Sequence, residues 1–404
     1  MFHRISTGFR PEDLLWPWDD KSQISWPFRL RRHDRATAAP LFRAAFSMLT
    51  INRLLLVAAP CTWALASTVP VLAVTFANLG FAFIVILVSY WSLWHFRQLF
   101  FNGLVNHKGK AVLITGCDTG FGHLLADRLA EEGFLVFAGC LEAAGAGAKI
   151  LRERTNIRVL QMDVTKEEDI LAAVEIVEKA LDNKVLWGVV CNAGVGSIGY
   201  IDLQPLSRVR EVVEVNTFGV LAVACAFLPL LKKSRGRLVI VSSLLARLSV
   251  PECLAYCISK RASITLADGL RQQFYSKGVH VCTVEPAAYR TSVADHAVLE
   301  KAMDADLQRL PERIRYTLDE RFVERLKSRT RVLLSWFIRN DTAEAVDVMR
   351  RATLDRMPKA HYTAGGTVDH VYRLLIDLLP AEVMDEALHI MSKVATLRAN
   401  RTQK

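Results

Sequence analysis

The sequence predicts an α/β fold: a doubly wound parallel sheet with helices on both faces, preceded by an N-terminal membrane anchor. Three observations predict it. Short apolar runs alternate with amphipathic stretches from Lys110 onward, the pattern of strands and crossover helices. A glycine-rich turn follows the first apolar run. An uncharged segment of 41 residues, Leu54 to Trp94, comes before all of this.

Residues 1–53 read as an irregular basic arm. Trp16, Trp18 and Trp26 lie near prolines, and Arg29, Arg31, Arg32, Arg35, Arg43 and Arg53 face only Asp34 between Phe28 and Arg53. Such a cluster before an apolar run suits an anionic membrane surface. A solvated arm is the plainer reading of the same charges.

Residues 54–95 carry no Asp, Glu, Lys or Arg, and no His before His95. A spanning helix needs about 20 apolar residues, so two spans fit, 54–74 and 77–95, with a break near Asn78 and Gly80. Pro60 and Pro70 are tolerable in membrane helices, and Tyr90, Trp91 and Trp94 would form an interfacial belt. The run is too long and too far from Met1 for a cleaved signal peptide. Basic residues flank both ends, so a two-helix hairpin with both ends in the cytosol is expected; a single tilted span, the alternative, would place the following domain in a lumen. Mean hydropathy is +0.21 and the net charge is +10. No base-reading motif accompanies that charge, so no nucleic-acid partner is expected.

Residues 108–290 form the expected core. Ala111–Thr115, Phe134–Gly139, Arg158–Met162, Trp187–Cys191, Arg237–Ser242 and Val279–Val284 read as strands, with a helix over Phe121–Glu132. Their near-continuous apolar character fits strands buried on both faces. The first strand runs into Thr115-Gly116-Cys117-Asp118-Thr119-Gly120-Phe121-Gly122. Gly116, Gly120 and Gly122 allow a tight turn and close approach to a pyrophosphate, and the new helix offers unpaired N–H groups. Thr119 and Phe121 complete this candidate phosphate loop of a Rossmann-type sheet.

Glu142 lies 20 residues beyond Gly122, where an acid would hold adenosine ribose hydroxyls. No Arg or Lys occurs between Arg128 and Lys149, which favours NAD over NADP. Cys140 stands at the strand end where an Asp is common. Asp163, after the third strand, is a candidate acceptor for the adenine amino group or a helix N-terminal turn residue. Asn192-Ala193-Gly194 follows the fourth strand, where small residues let the chain pass close to a dinucleotide.

Tyr256 and Lys260 are four apart on an expected helix and so share a face. A free phenol has a pKa of about 10, and a nearby ammonium lowers it toward use as a base. Ser243 ends the fifth strand, 13 residues before Tyr256, and can hold a substrate oxygen beside the phenol. Asn216 sits in an expected helix, where Asn is unfavourable, which points to a functional reason.

With these residues assembled, the chain resembles the short-chain dehydrogenase/reductase superfamily across about residues 108–395. The matching motifs are TGCDTGFG at 115, NAG at 192, Asn216, Ser243 and YCISK at 256. The resemblance implies that Tyr256 is the general acid/base and that Lys260 binds the nicotinamide ribose and tunes it. It implies that Ser243 orients substrate and Asn216 supports a water-linked proton relay. Stretches such as VLITGCDTGFGHLLADRL and LPLLKKSRGRLVIVSS are similar to the branch of retinol dehydrogenases and type 2 17β- and 11β-hydroxysteroid dehydrogenases, with β-hydroxybutyrate dehydrogenases nearby. That implies a lipophilic alcohol or carbonyl such as a steroid or retinoid, and a homodimer or homotetramer. It also implies an integral membrane setting, in the endoplasmic reticulum with the catalytic domain facing the cytosol, or in a mitochondrial membrane.

Two departures stand out. The family's Pro-Gly reads Pro286-Ala287 here, with Thr291 where a threonine would hold the nicotinamide carboxamide, and its Asn-Asn-Ala-Gly reads Cys191-Asn192-Ala193-Gly194. Residues 291–404 read as substrate-covering helices and the C-terminal part of the same domain. Met303, Tyr316, Phe322, Trp336 and Phe337 are candidate lining residues, and His361–Gly366 resembles the last strand and turn. The eight cysteines form no CxxC pair, so no metal is expected and buried free thiols are the default. A short hydroxy-acid dehydrogenase, with Arg247 or Arg290 pairing a carboxylate, is one alternative. A non-catalytic dinucleotide-binding sensor or scaffold is another.

Overall fold

The computed structural model describes residues 59–60, 62–63, 70–101, 103–316 and 318–402. The chain divides into two compact units, 1–95 and 96–404. The basic arm, and the first expected span apart from 59–60, 62–63 and 70–74, fall outside the described residues.

In the N-terminal unit the apolar segment is helical. Helix α1, Pro70–Phe101, contains an apolar stretch, Val74–Gln98, long enough to cross a bilayer and with none of its described residues fully buried. The expected break near Asn78 and Gly80 is absent, because α1 runs through both. A single glycine costs a helix only about 1 kcal/mol, and an apolar surrounding penalises any broken backbone hydrogen bond more heavily.

The second unit is built on a seven-stranded sheet in the order β3-β2-β1-β4-β5-β6-β7. Its strands are β1 Lys110–Thr115, β2 Leu135–Cys140, β3 Ile157–Gln161, β4 Val185–Cys191, β5 Arg237–Val241, β6 His280–Pro286 and β7 His361–Ala364. Every pairing is parallel. The expected strands agree with these to within two residues at each end. The longer helices are α2 Gly120–Glu131, α3 Ala146–Arg152, α4 Glu167–Leu181, α5 Leu206–Val213, α6 Val220–Ser234, α7 Leu254–Phe274, α8 His296–Gln308, α9 Glu320–Phe337, α10 Thr342–Leu354, α11 Thr367–Leu378 and α12 Ala381–Thr402.

Strand periodicity sorts the core into two layers. Val112 and Ile114 of β1 pack on one face with Leu125 and Leu129 of α2 and Met349 of α10. Ala111 and Leu113 pack on the other with Val177 of α4, Phe227 and Leu231 of α6, and Leu270 of α7. The continuous helix from Leu206 to Ser234 is also apolar enough to span a bilayer, but it is nearly half buried and belongs to this second layer. Truncating a core side chain such as Phe227 to Ala would cost roughly 3–5 kcal/mol.

Because β1 lies between β2 and β4, successive crossovers depart to opposite sides. A crevice therefore opens at the carboxyl ends of these strands. A third apolar cluster, Ile198, Leu203, Leu299, Met303 and Leu326, binds α8 and α9 over that crevice.

Candidate active site

The crevice holds a cavity of about 880 Å³. Its floor is the glycine turn. Gly116 and Gly120 have φ of +71° and +63°, a region only glycine enters cheaply. A Cβ on Gly116 would lie 2.7 Å from Ala193 Cα, and one on Gly122 would collide with Gly116 O. The Asn192 side-chain amide donates to Thr115 O at 2.9 Å and Gly116 O at 3.0 Å. Ala193 N donates to Thr115 Oγ1 at 3.0 Å. The Asn-Ala-Gly segment therefore locks the turn in shape, and the first turn of α2 opens toward the cavity. Gly116, Thr119, Gly120 and Phe121 line it, while Gly122 and Ala193 stand behind.

Glu142 lines the same cavity. Asp118, unremarked in the sequence reading, accepts from Leu141 N and Glu142 N at 2.9 Å each and also lines the cavity. An acid inside the glycine turn was the signal that could have found it. Cys140 is fully buried, and burial pushes its thiol up to about 12, so the carboxylates at this corner are those of Glu142 and Asp118. Asp163 is not in the cavity wall. Its carboxylate accepts from Thr165 N at 3.0 Å and Thr165 Oγ1 at 2.7 Å, the turn arrangement before α4.

Ser243, Tyr256 and Lys260 meet at the cavity centre, with Pro286, Thr291, Asn192 and Gly194 in the wall around them. The Ser243 hydroxyl stands beside the Tyr256 phenol, favouring its ionised form, and accepts from Leu245 N at 3.1 Å. Lys260 Nζ donates to Val241 O at 2.9 Å and lies 5.7 Å from the Tyr256 ring centre. Burial lowers the ammonium to about 8. The phenol differs from expectation: burial raises it above its ordinary value, and the Ser243 hydroxyl opposes this only in part.

Asn216 is buried behind the cavity, in a π-helical turn over Glu214–Gly219 that joins α5 to α6. Such turns recur at functional sites. Its Oδ1 accepts from Val195 N at 2.9 Å, and its Nδ2 donates to Val195 O at 2.9 Å and Ser259 Oγ at 3.0 Å. A Cβ on Gly194 would lie 3.0 Å from Asn216 Oδ1 and 3.3 Å from Lys260 Nζ, so these three groups are neighbours.

Of the five candidate lining residues after Thr291, only Phe337 lines the cavity. Met303 is in the α8–α9 apolar cluster. Tyr316 is exposed, Phe322 stacks on Tyr200, and Trp336 packs beneath Arg398. The wall there comes instead from Leu333 and Leu334 of α9, and from Leu388, His389 and Met391 of α12.

Residues 110–302 match the short chain dehydrogenase family. Retinol dehydrogenase 7 of Mus musculus is 32% identical over 311 residues, covering 76% of this chain and 96% of that protein. The chain belongs to the short-chain dehydrogenase family. Membership makes it an NAD(P)-dependent oxidoreductase of alcohol and carbonyl groups. Dehydrogenase/reductase SDR family member 9 of Homo sapiens is 34% identical, over 68% of this chain and 86% of that one. The mitochondrial D-beta-hydroxybutyrate dehydrogenase of Mus musculus is 40% identical, but over only 45% and 55% of the two chains. A short-chain dehydrogenase from Burkholderia phymatum, solved with NAD, has the same fold at a TM-score of 0.56 and 20% identity, covering 68% of this chain and 95% of that one.

Proposed function

We propose that the chain is a membrane-anchored, NAD(H)-linked dehydrogenase of a neutral, lipophilic alcohol or its carbonyl, of steroid or retinoid type. The observation that carries this is the cavity wall. Tyr256 and Ser243 stand among Leu248, Val250, Leu299, Leu334 and Phe337, and Lys260 is the only lysine or arginine in the described wall. The glycine cradle fits a pyrophosphate. Two carboxylates, Asp118 and Glu142, stand where the adenosine ribose would lie, which supports NAD over a cofactor with a 2′-phosphate.

The bound nicotinamide supplies the hydride acceptor for oxidation and the donor for reduction. In oxidation Ser243 holds the substrate hydroxyl beside Tyr256. The Tyr256 phenolate takes the hydroxyl proton while the carbinol C–H bond gives up its hydride. Lys260, whose Nζ lies 5.7 Å from the Tyr256 ring centre, would favour the phenolate electrostatically and would hold the nicotinamide ribose. Asn216 fixes Val195 and, with Lys260 beside it, provides the polar route by which the proton leaves. In this proposal Pro286 and Thr291 face the nicotinamide.

A hydroxy-acid substrate would need a free cation. Arg247 is committed to Glu285 at 2.7 Å, and the side chain of Arg290 is not in the cavity wall. Residues 54–95 are proposed as the anchor, with Val74–Gln98 as its described span, in the endoplasmic reticulum membrane with residues 108–404 on the cytosolic side. Lipophilic substrates partition into the bilayer, so an anchor keeps the enzyme at its supply.

The test is initial rates in detergent with NAD and NADP, offered a sterol, a retinoid and 3-hydroxybutyrate. Turnover of the lipophilic alcohols with NAD is expected. Turnover of 3-hydroxybutyrate alone would move the substrate to the hydroxy-acid class. NADH binding with no turnover at all would favour a sensor or scaffold.

A further inference from the structure

Glu285 is a fully buried carboxylate that the proposed chemistry does not use. It is the penultimate residue of β6, directly before Pro286 in the cavity wall. Arg247 grips it with two bonds, Nε to Oε2 at 3.0 Å and Nη2 to Oε1 at 2.7 Å. Thr283 Oγ1 donates to Oε1 at 3.0 Å, and Arg373 Nε donates to Oε2 at 3.3 Å. His361 Nδ1 lies 3.3 Å away. Burial alone would raise this carboxyl, but the bonds from His361 and Arg247 and the charges of Arg247 and Arg373 hold it down at about 2.

The sequence positions of these partners give the cluster its meaning. Arg247 belongs to the segment after Ser243, whose Leu244, Leu245, Leu248 and Ser249 line the cavity. Arg373 belongs to α11, beside the cavity residue Tyr372. Three separate wall segments therefore converge on one carboxylate. A bidentate guanidinium–carboxylate pair fixes orientation as well as distance. Its ionic partners make it costly to break in a buried setting.

We propose that the Arg247–Glu285 pair is a positioning device that sets the serine segment, and so the alcohol, against the nicotinamide-facing end of β6. It rests on the functional reading above. Loss of the pair would leave Ser243 chemically intact but its segment free to drift. A displacement near 1 Å in a reacting geometry costs roughly a hundredfold in rate.

The test is stopped-flow hydride transfer in a single turnover, normalised to NADH-binding sites measured by fluorescence titration, for the full-length protein in detergent. Arg247→Met, Arg247→Lys and the wild type are compared. Arg247→Met leaves Glu285 bonded to Thr283 and Arg373, so the fold keeps that carboxylate paired. The expected result is a fall of roughly a hundredfold in rate per binding site for Arg247→Met, with NADH affinity within about threefold. Arg247→Lys, which restores charge but not the fork, should recover only part of the rate. Misfolding removes binding sites and so cannot mimic this result. Should Arg247→Met give too few sites, Glu285→Gln, which keeps the shape and loses the charge, is read the same way. An unchanged rate per site in whichever variant is read overturns the proposal while leaving the functional reading intact. A wild type that transfers no hydride with any alcohol overturns both.

Discussion

Lys260→Met should abolish hydride transfer and yet stabilise the fold at neutral pH. The ammonium is 4% exposed, and burial lowers it from 10.5 to about 8. Each pK unit is about 1.4 kcal/mol, so keeping this charge costs the folded state about 3 kcal/mol at pH 7. Methionine removes that cost but orphans Val241 O, which Lys260 bonds at 2.9 Å. An unsatisfied carbonyl costs about 1–3 kcal/mol. The net expectation is a gain of about 1 kcal/mol, or roughly 2–3 °C in melting temperature. The folded pKa of this base lies below its unfolded value. Between about pH 8 and 10.5 the unfolded chain therefore holds the extra proton, and wild-type stability rises with pH across that window. By pH 10 the charge cost falls below about 1 kcal/mol, so the variant should become the less stable protein. Thermal unfolding followed by intrinsic fluorescence at pH 7 and pH 10 gives the comparison. A variant destabilised equally at both would refute the buried-ammonium argument.

Gly122→Ala puts a Cβ into Gly116 O, so NADH affinity measured by fluorescence should fall at least tenfold with little change in the strand core. Removing the acid in Glu142→Leu should narrow the preference for NADH over NADPH in isothermal titration, because the ribose hydroxyls lose their acceptor. An unchanged ratio would place the discrimination on Asp118 alone. Arg329→Met frees Glu252, which it pairs at 2.7 Å. That loosens α9 over the cavity and should raise KM for the lipophilic alcohol severalfold more than it lowers kcat.

The sheet was legible because its strands are buried on both faces and so read as unbroken apolar runs. The candidate site was legible where chemistry is local: the glycine turn, the Tyr256–Lys260 spacing and the unfavourable Asn216 in a helix all announce themselves within a few residues. What required tertiary contacts was not. Arg247 and Glu285 are 38 residues apart, and nothing in either neighbourhood says that one neutralises the other. The sequence therefore leaves Arg247, like Arg290, open as a carboxylate partner in the hydroxy-acid alternative. The rise of the Tyr256 phenol depends on how deeply the assembled site is buried, which i, i+4 spacing does not report. The α12 wall was missed because a helix that lines a cavity on one face and meets solvent on the other reads as an ordinary amphipathic helix. Phe337 alone could be told from Met303 and Trp336 only by knowing which face of α9 looks inward. Asn78 and Gly80 suggested a break that an apolar helix has no reason to make.

In the proposed reaction Tyr256 moves the proton while a lipophilic alcohol surrenders its hydride. The most direct measurement is single-turnover NADH formation in detergent, from protein, NAD and the carbinol-deuterated and undeuterated forms of the preferred alcohol, for wild type and Tyr256→Phe. A primary isotope effect is expected in the wild type. In the variant the expected rate is lower by about 10²–10⁴, with NADH affinity unchanged. A variant that forms NADH at the wild-type rate would contradict that role of Tyr256.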